Sequence, residues 1–79
     1  MVIKRGQIVF VNAGKQKGQF MIVLSADEKS VLLIDGKRHP YDRPKRKNVK
    51  HISATQTIVS ENDLAANSRV KTMLRNFTA

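Results

Sequence analysis

Apolar residues fall in short runs along this chain, and the spacing within each run reads as strand. Gln7 to Val11 puts Ile8 and Phe10 on one side and Val9 and Val11 on the other. Gln19 to Leu24 repeats the arrangement, with Phe20, Ile22 and Leu24 opposing Met21 and Val23. A sheet with one wet face alternates apolar with polar residues. Here both faces are apolar, so the second face needs a cover, either closure of the sheet into a barrel or a packed helix.

Between these two strands lies a short loop with Gly14 and Gly18 at its corners, which displays Lys15, Gln16 and Lys17 at its tip. Ser25 to Lys29 is a polar turn. Val31 to Ile34 reads as a third strand, ended by Asp35-Gly36, a strong turn signal that makes Asp35 a turn-former rather than a catalytic acid. Lys37 to His51 then carries seven Lys or Arg against one acid, Asp42. Proline supplies no backbone donor, so no central strand runs through Pro40 to Pro44. A loop is predicted there, followed by a fourth strand from about Lys45 to Ile52. Alternation sets Arg46 on the face opposite Lys45, Lys47 and Val49. Ala54 to Val59 is ambiguous and can be read as a short fifth strand that closes the sheet.

The period changes at Ser60. Ser60 with Asp63 resembles a capping box with a shortened acid, and Glu61 suits a helix N-terminus. Ala66, Val70, Met73, Leu74 and Phe77 recur at helical spacing. One amphipathic helix from about Glu61 to Asn76 is predicted, with Arg69, Lys71 and Arg75 toward the end where cations oppose the dipole. Its stripe is assigned to covering the sheet rather than to docking a partner. The expected fold is mainly β, with the strands over residues 1–59 and a C-terminal α-helix over 60–79, in one domain.

Composition narrows the function. With 15 Lys and Arg against 6 Asp and Glu in 79 residues, the net charge is +9. Such an excess favours polyanions, nucleic acid ahead of acidic proteins or membranes. There is no cysteine, which excludes disulfides and thiolate metal sites. His39 and His51 are the two histidines and few acids lie near them, so no metal or other cofactor is expected. The acids are scattered and form no catalytic set, so no enzyme and no small-molecule substrate is expected. Gly14-Lys15 is not a nucleotide-binding P-loop, because no Ser or Thr follows the lysine and the upstream glycine spacing is wrong. The apolar runs fall far short of the roughly 20 residues that span a bilayer. The start of the chain lacks a signal-peptide core, and a cytoplasmic protein without membrane contact is expected.

The loop and the basic segment are the candidate site. Lys15 and Lys17 suit phosphates, and Gln16 a base edge or ribose hydroxyl. Lys37, Arg38, Arg43, Lys45, Arg46, Lys47 and Lys50 suit a sugar-phosphate backbone, where contacts dominate affinity and carry little sequence information. His39, Tyr41 and His51 are candidates for stacking on an unpaired base. For Tyr41, packing against the prolines is an equal alternative.

Gly6, Val9, Val11, Gly14-Lys15-x-Lys17-Gly18 and Val23 together resemble the KOW motif, shared by ribosomal proteins and NusG-type transcription elongation factors. VLLIDG, a basic stretch and Asn48-Val49-Lys50-His51-Ile52 are similar to the KOW domain of eukaryotic and archaeal-type large-subunit ribosomal proteins. The resemblance covers about Lys4 to Ser53 and implies an SH3-like barrel whose inter-strand loop, with Gly18 as hallmark, contacts RNA or protein. It implies binding of RNA, rRNA of the large ribosomal subunit first, by a monomer. Two other readings stand beside it: a protein-interaction module on the ribosome or RNA polymerase, and a general polyanion or DNA binder.

Overall fold

The computed structural model describes residues 3–78, which form five strands and two helices. β1 (Gln7–Val11), β2 (Phe20–Ala26) and β3 (Ser30–Ile34) are antiparallel neighbours in chain order, with β4 (Lys45–Asn48) beyond β3 on one edge. A 3-10 turn at Val49–His51 leads to β5 (Ile52–Ile58), which pairs with β1 on the other edge. Two helices, α1 (Glu61–Leu64) and α2 (Asn67–Thr78), complete the structure. The first three strands follow the alternation of the sequence. The turn between β2 and β3 is tied by Asp27, whose Oδ1 accepts from the Lys29 and Ser30 amides at 2.8 and 2.7 Å.

The predicted strand from Lys45 to Ile52 is two strands with a turn between them. Asn48 breaks it: its side chain accepts from the Lys50 amide and caps the 3-10 turn. This turn determines the shape of the sheet. Asn48 pairs with Ser30, and Ile52 with Val11, at diagonally opposite corners. In a flat five-stranded sheet those corners would lie roughly 30 Å apart, from the spacing of strands and residues. Four residue steps span at most about 14 Å. The sheet must therefore coil until the β4 corner folds toward the end of β1. Register shifts between Gln7 and Val9 and between Val23 and Ser25 add local twist. Among the described residues no ladder joins β4 to β5, so the sheet is coiled but open, with these two strands as its edges.

Coiling answers the two-faced strands. Val9, Val11, Met21, Val23, Val31, Leu33 and Ile52 form one buried cluster on the inner face, with Ile3 and Ala54 against it. Among the described residues no helix covers that face; the sheet wraps it. The outer face carries Ile8, Ile22 and Ile34, and these pack with Val59, Leu64, Val70 and Leu74. Of the two covers considered from the sequence, the packed helix is in use on the outer face, while the inner face is covered by the coiling of an open sheet rather than by a closed barrel.

The single helix expected over Glu61 to Asn76 is interrupted at Ala65 and Ala66. Ser60 caps α1 as anticipated, accepting from the Asp63 amide. The interruption has a geometric cause. Leu64 and Val70 are six residues apart, which on a continuous helix sets them about 120° apart around the axis. Both are buried in the same cluster, and the break re-aims one toward the other. Burying Leu64, Val70 and Leu74 contributes roughly 5–9 kcal/mol before entropy is counted. A helix as short as α2 is marginal on its own, so tertiary packing is what holds it.

Gly36 lets α2 come close. Its φ is +78°, and a Cβ there would run into the Asn67 carbonyl and the Lys71 side chain. The start of α2 is also tied to the basic segment, since Asn67 Oδ1 accepts from the Tyr41 amide at 2.8 Å.

Candidate nucleic-acid interface

The loop between β1 and β2 is closed by its own backbone. Gly18 N donates to Val11 O at 2.9 Å, Lys17 N to Gly14 O at 3.1 Å and Gln19 N to Gln16 O at 3.1 Å. Gly14 and Gly18 both lie at positive φ, +87° and +88°, the corners that this short circuit requires. Lys15 and Lys17 are exposed at the tip and Gln16 is turned inward.

The basic segment docks on this loop. Lys47, on the inward-facing side of β4, donates from Nζ to the Ala13 carbonyl at 2.9 Å. The Asn12 amide donates to the His51 carbonyl at 2.7 Å, and Asn12 Nδ2 to Ser53 Oγ at 2.8 Å. Gln16 Nε2 lies 3.4 Å from His39 Nε2. Two stretches more than 20 residues apart in sequence are thus joined at three points. Gln16 Oε1 is buried without a protein partner; a half-turn of its carboxamide would offer that oxygen to the His39 ring N–H. Gln16 is therefore a strut between loop and segment as it stands, not a free recognition group.

The candidate residues divide. Lys15, Lys17, Lys37, Arg38 and Lys50 are exposed. His51 is exposed beside the loop, and its carbonyl takes the Asn12 amide. Lys45 is half-buried on the same side of β4 as Lys47. Arg46 points to the opposite side, toward the β2–β3 turn, where its charge helps hold the Asp27 carboxyl below its usual range. The larger causes of that lowering are the hydrogen bonds from the Ser30 and Lys29 amides. Arg43 is exposed in a turn closed by its own amide on the Pro40 carbonyl at 2.9 Å.

Tyr41 goes elsewhere. Its hydroxyl accepts from Arg5 Nη2 at 3.2 Å, and its backbone is held by Asn67. Arg5 also pairs with Glu61 at 2.8 Å and donates to the Leu24 carbonyl at 2.9 Å. Glu61 first, and Tyr41 second, hold that guanidinium more firmly cationic than an ordinary arginine. Tyr41 therefore fastens the segment to the helical side of the fold. Asp63 pairs with Arg69 at 3.1 Å, so both carboxylates of α1 are engaged by cations outside the candidate set. Asp35 accepts from the Lys37 and His39 amides at 2.8 and 3.0 Å, the turn-forming role read from the sequence.

Two cations of α2 were assigned from the sequence only to the helix dipole. Lys71 and Arg75, one turn apart, line a groove of about 610 Å³ together with Lys37 and Arg38, over Phe20 and Leu74. The i, i+4 spacing of Lys71 and Arg75 was legible in the sequence. Their meeting with the 35–38 turn was not, because it depends on how α2 docks beside Gly36.

Among the described residues no three His, Cys, Asp or Glu side chains come together as a metal site, and no helix is long and apolar enough to cross a membrane. No protein-family model and no curated protein matches the chain.

Proposed function

We propose that this protein is an RNA-binding module of the KOW type on an SH3-like sheet, and that it acts as a monomer in the cytoplasm on rRNA of the large ribosomal subunit. It works by binding rather than catalysis. The observation that carries the reading is the docking of the basic segment on the glycine-cornered loop through Lys47–Ala13, His51–Asn12 and Gln16–His39. That docking ties the loop-tip lysines and Lys37, Arg38 and Lys50 to one support, while Arg46 faces the other side of β4. Capture is electrostatic, through Lys15, Lys17, Lys37, Arg38 and Lys50. A support ordered beforehand spares the cost of ordering a loop on binding. A protein-docking role would call for a broad exposed apolar patch. The large hydrophobic side chains exposed on the described surface are Tyr41 and Ile58, and Tyr41 is engaged through its hydroxyl.

The test is binding of rRNA fragments across a salt series. Engagement of about six phosphates gives a slope of log K against log salt of roughly −4 to −5. The double substitution Lys15→Glu and Lys17→Glu is expected to weaken binding at an unchanged melting temperature. Comigration with large-subunit particles in a gradient would support the ribosomal assignment. A salt slope near zero would remove the cationic face as the binding device. Tight binding to unrelated RNA with no comigration would overturn the ribosomal target alone.

A further inference from the structure

The groove between the start of β2, the 35–38 turn and α2 borders the docked loop and segment, sharing Gly18 with the loop and Lys37 and Arg38 with the segment. Four cations line it, Lys37, Arg38, Lys71 and Arg75, against one carboxylate, Asp35. That carboxylate is already occupied by the Lys37 and His39 amides. The floor is apolar, made by Phe20 and Leu74. Phe20 is half-buried and held edge-to-face by Phe10 and Phe77, each with its ring centre 5.1 Å away. A ring clamped on two sides is a platform that loses little freedom when something stacks on it. Gly18 also lines the groove, and a Cβ there would meet no protein atom within 4 Å, so the space beside it is open.

From this geometry we infer that the groove holds one unpaired nucleotide of a single-stranded RNA segment, its base on the Phe20–Leu74 floor and its phosphates on Lys37, Arg38 and Lys71. This rests on the RNA-binding reading and adds to it a site and a strand state. A cationic rim over an aromatic floor is the combination that single-stranded nucleic acid uses, backbone on the charges and base on the ring. A duplex keeps its bases stacked inside and would reach only the rim. Lys71 and Arg75 lie on the face of α2 that flanks Leu74, so docking the helix builds the platform and its charged wall in one step.

The test uses the full chain with a short fluorescein-labelled oligouridylate and an RNA duplex of equal length, read by anisotropy. A 4-thiouridine version of the oligomer is crosslinked and mapped by mass spectrometry. Lys71→Glu, at an exposed position, is expected to weaken binding of both RNAs, that of the oligouridylate about tenfold and that of the duplex less. Phe20→Leu keeps the floor apolar and is expected to weaken oligouridylate binding about fivefold. Crosslinks are expected in the 18–20 and 71–75 peptides. Melting curves show whether each variant is folded, and the crosslinks to the unsubstituted protein do not depend on them.

Crosslinks confined to residues 45–51, with Lys71→Glu binding as tightly as the unsubstituted protein, would overturn the groove and leave the RNA reading standing. Saturation by UMP alone, as tight as the oligomer, would make it a free-nucleotide site and overturn the strand. Failure to bind oligouridylate while rRNA fragments still bind would overturn the groove alone, and failure to bind the rRNA fragments as well would overturn both readings together.

Discussion

Lys47 is expected to hold the interface together without touching RNA, and Lys47→Met separates the two roles. The substitution keeps the aliphatic stem and removes the charge and the donor to the Ala13 carbonyl. A hydrogen bond to a charged group contributes about 1.5–3 kcal/mol when buried. Lys47 and Ala13 are both half-exposed, and water can replace the lost partner, so about 1 kcal/mol is expected. For a domain of this size that lowers the melting temperature by about 4–8 °C. The loop should loosen locally as well. Amide exchange at Lys17 and Gly18, whose N–H groups close the loop on Gly14 and Val11, should speed up about fivefold. RNA affinity should fall by less than tenfold, with the salt slope unchanged. A phosphate-binding lysine behaves differently: its loss flattens the slope by about 0.7–0.9 and leaves the fold intact. A flatter slope with an unmoved melting temperature would refute the positioning role and return Lys47 to the binding set.

Two further outcomes follow from the fold. Gly36→Ala must adopt a positive φ, at a cost of about 1–2 kcal/mol, and its methyl faces the Asn67 carbonyl and Lys71; Gly18→Ala has the same φ problem in open space. Urea unfolding should therefore show a loss of at least about 2 kcal/mol at Gly36 and a smaller one at Gly18, and equal losses would mean that α2 does not lean on Gly36. Asp27 has its carboxyl held below the ordinary range by the Ser30 and Lys29 amides and more weakly by Arg46, so the unfolded chain binds its proton more readily than the folded one. The stability this contributes is complete above the ordinary aspartate value near 3.9 and is lost as pH falls from there through the folded value; unfolding curves of Asp27→Asn should show a shallower acid dependence in that window, and an unchanged one would refute the turn's role.

Local pattern carried much of this structure. Alternation of Ile8, Val9, Phe10 and Val11 placed β1 and its two apolar faces, because side chains along a strand point to opposite sides whatever the surroundings. The Asp35-Gly36 turn and the Ser60 cap were equally legible, since each is satisfied within a few residues. The charge excess pointed to a polyanion, because charge is a property of composition. Three things were decided only by packing. One was the division of Lys45 to Ile52 at Asn48, forced by a chain that must cross between distant corners of a coiled sheet. Another was the break at Ala65 and Ala66, where continuous helical spacing would have taken either Leu64 or Val70 out of the core. The last was the sorting of the cations. Lys47 turns inward to brace the loop, Arg46 faces Asp27, and Lys71 and Arg75 join the 35–38 turn to wall a groove. Sequence records that a side chain is positive; which other groups share its space depends on contacts between residues far apart in the chain, and those exist only once the sheet has coiled and α2 has docked on it.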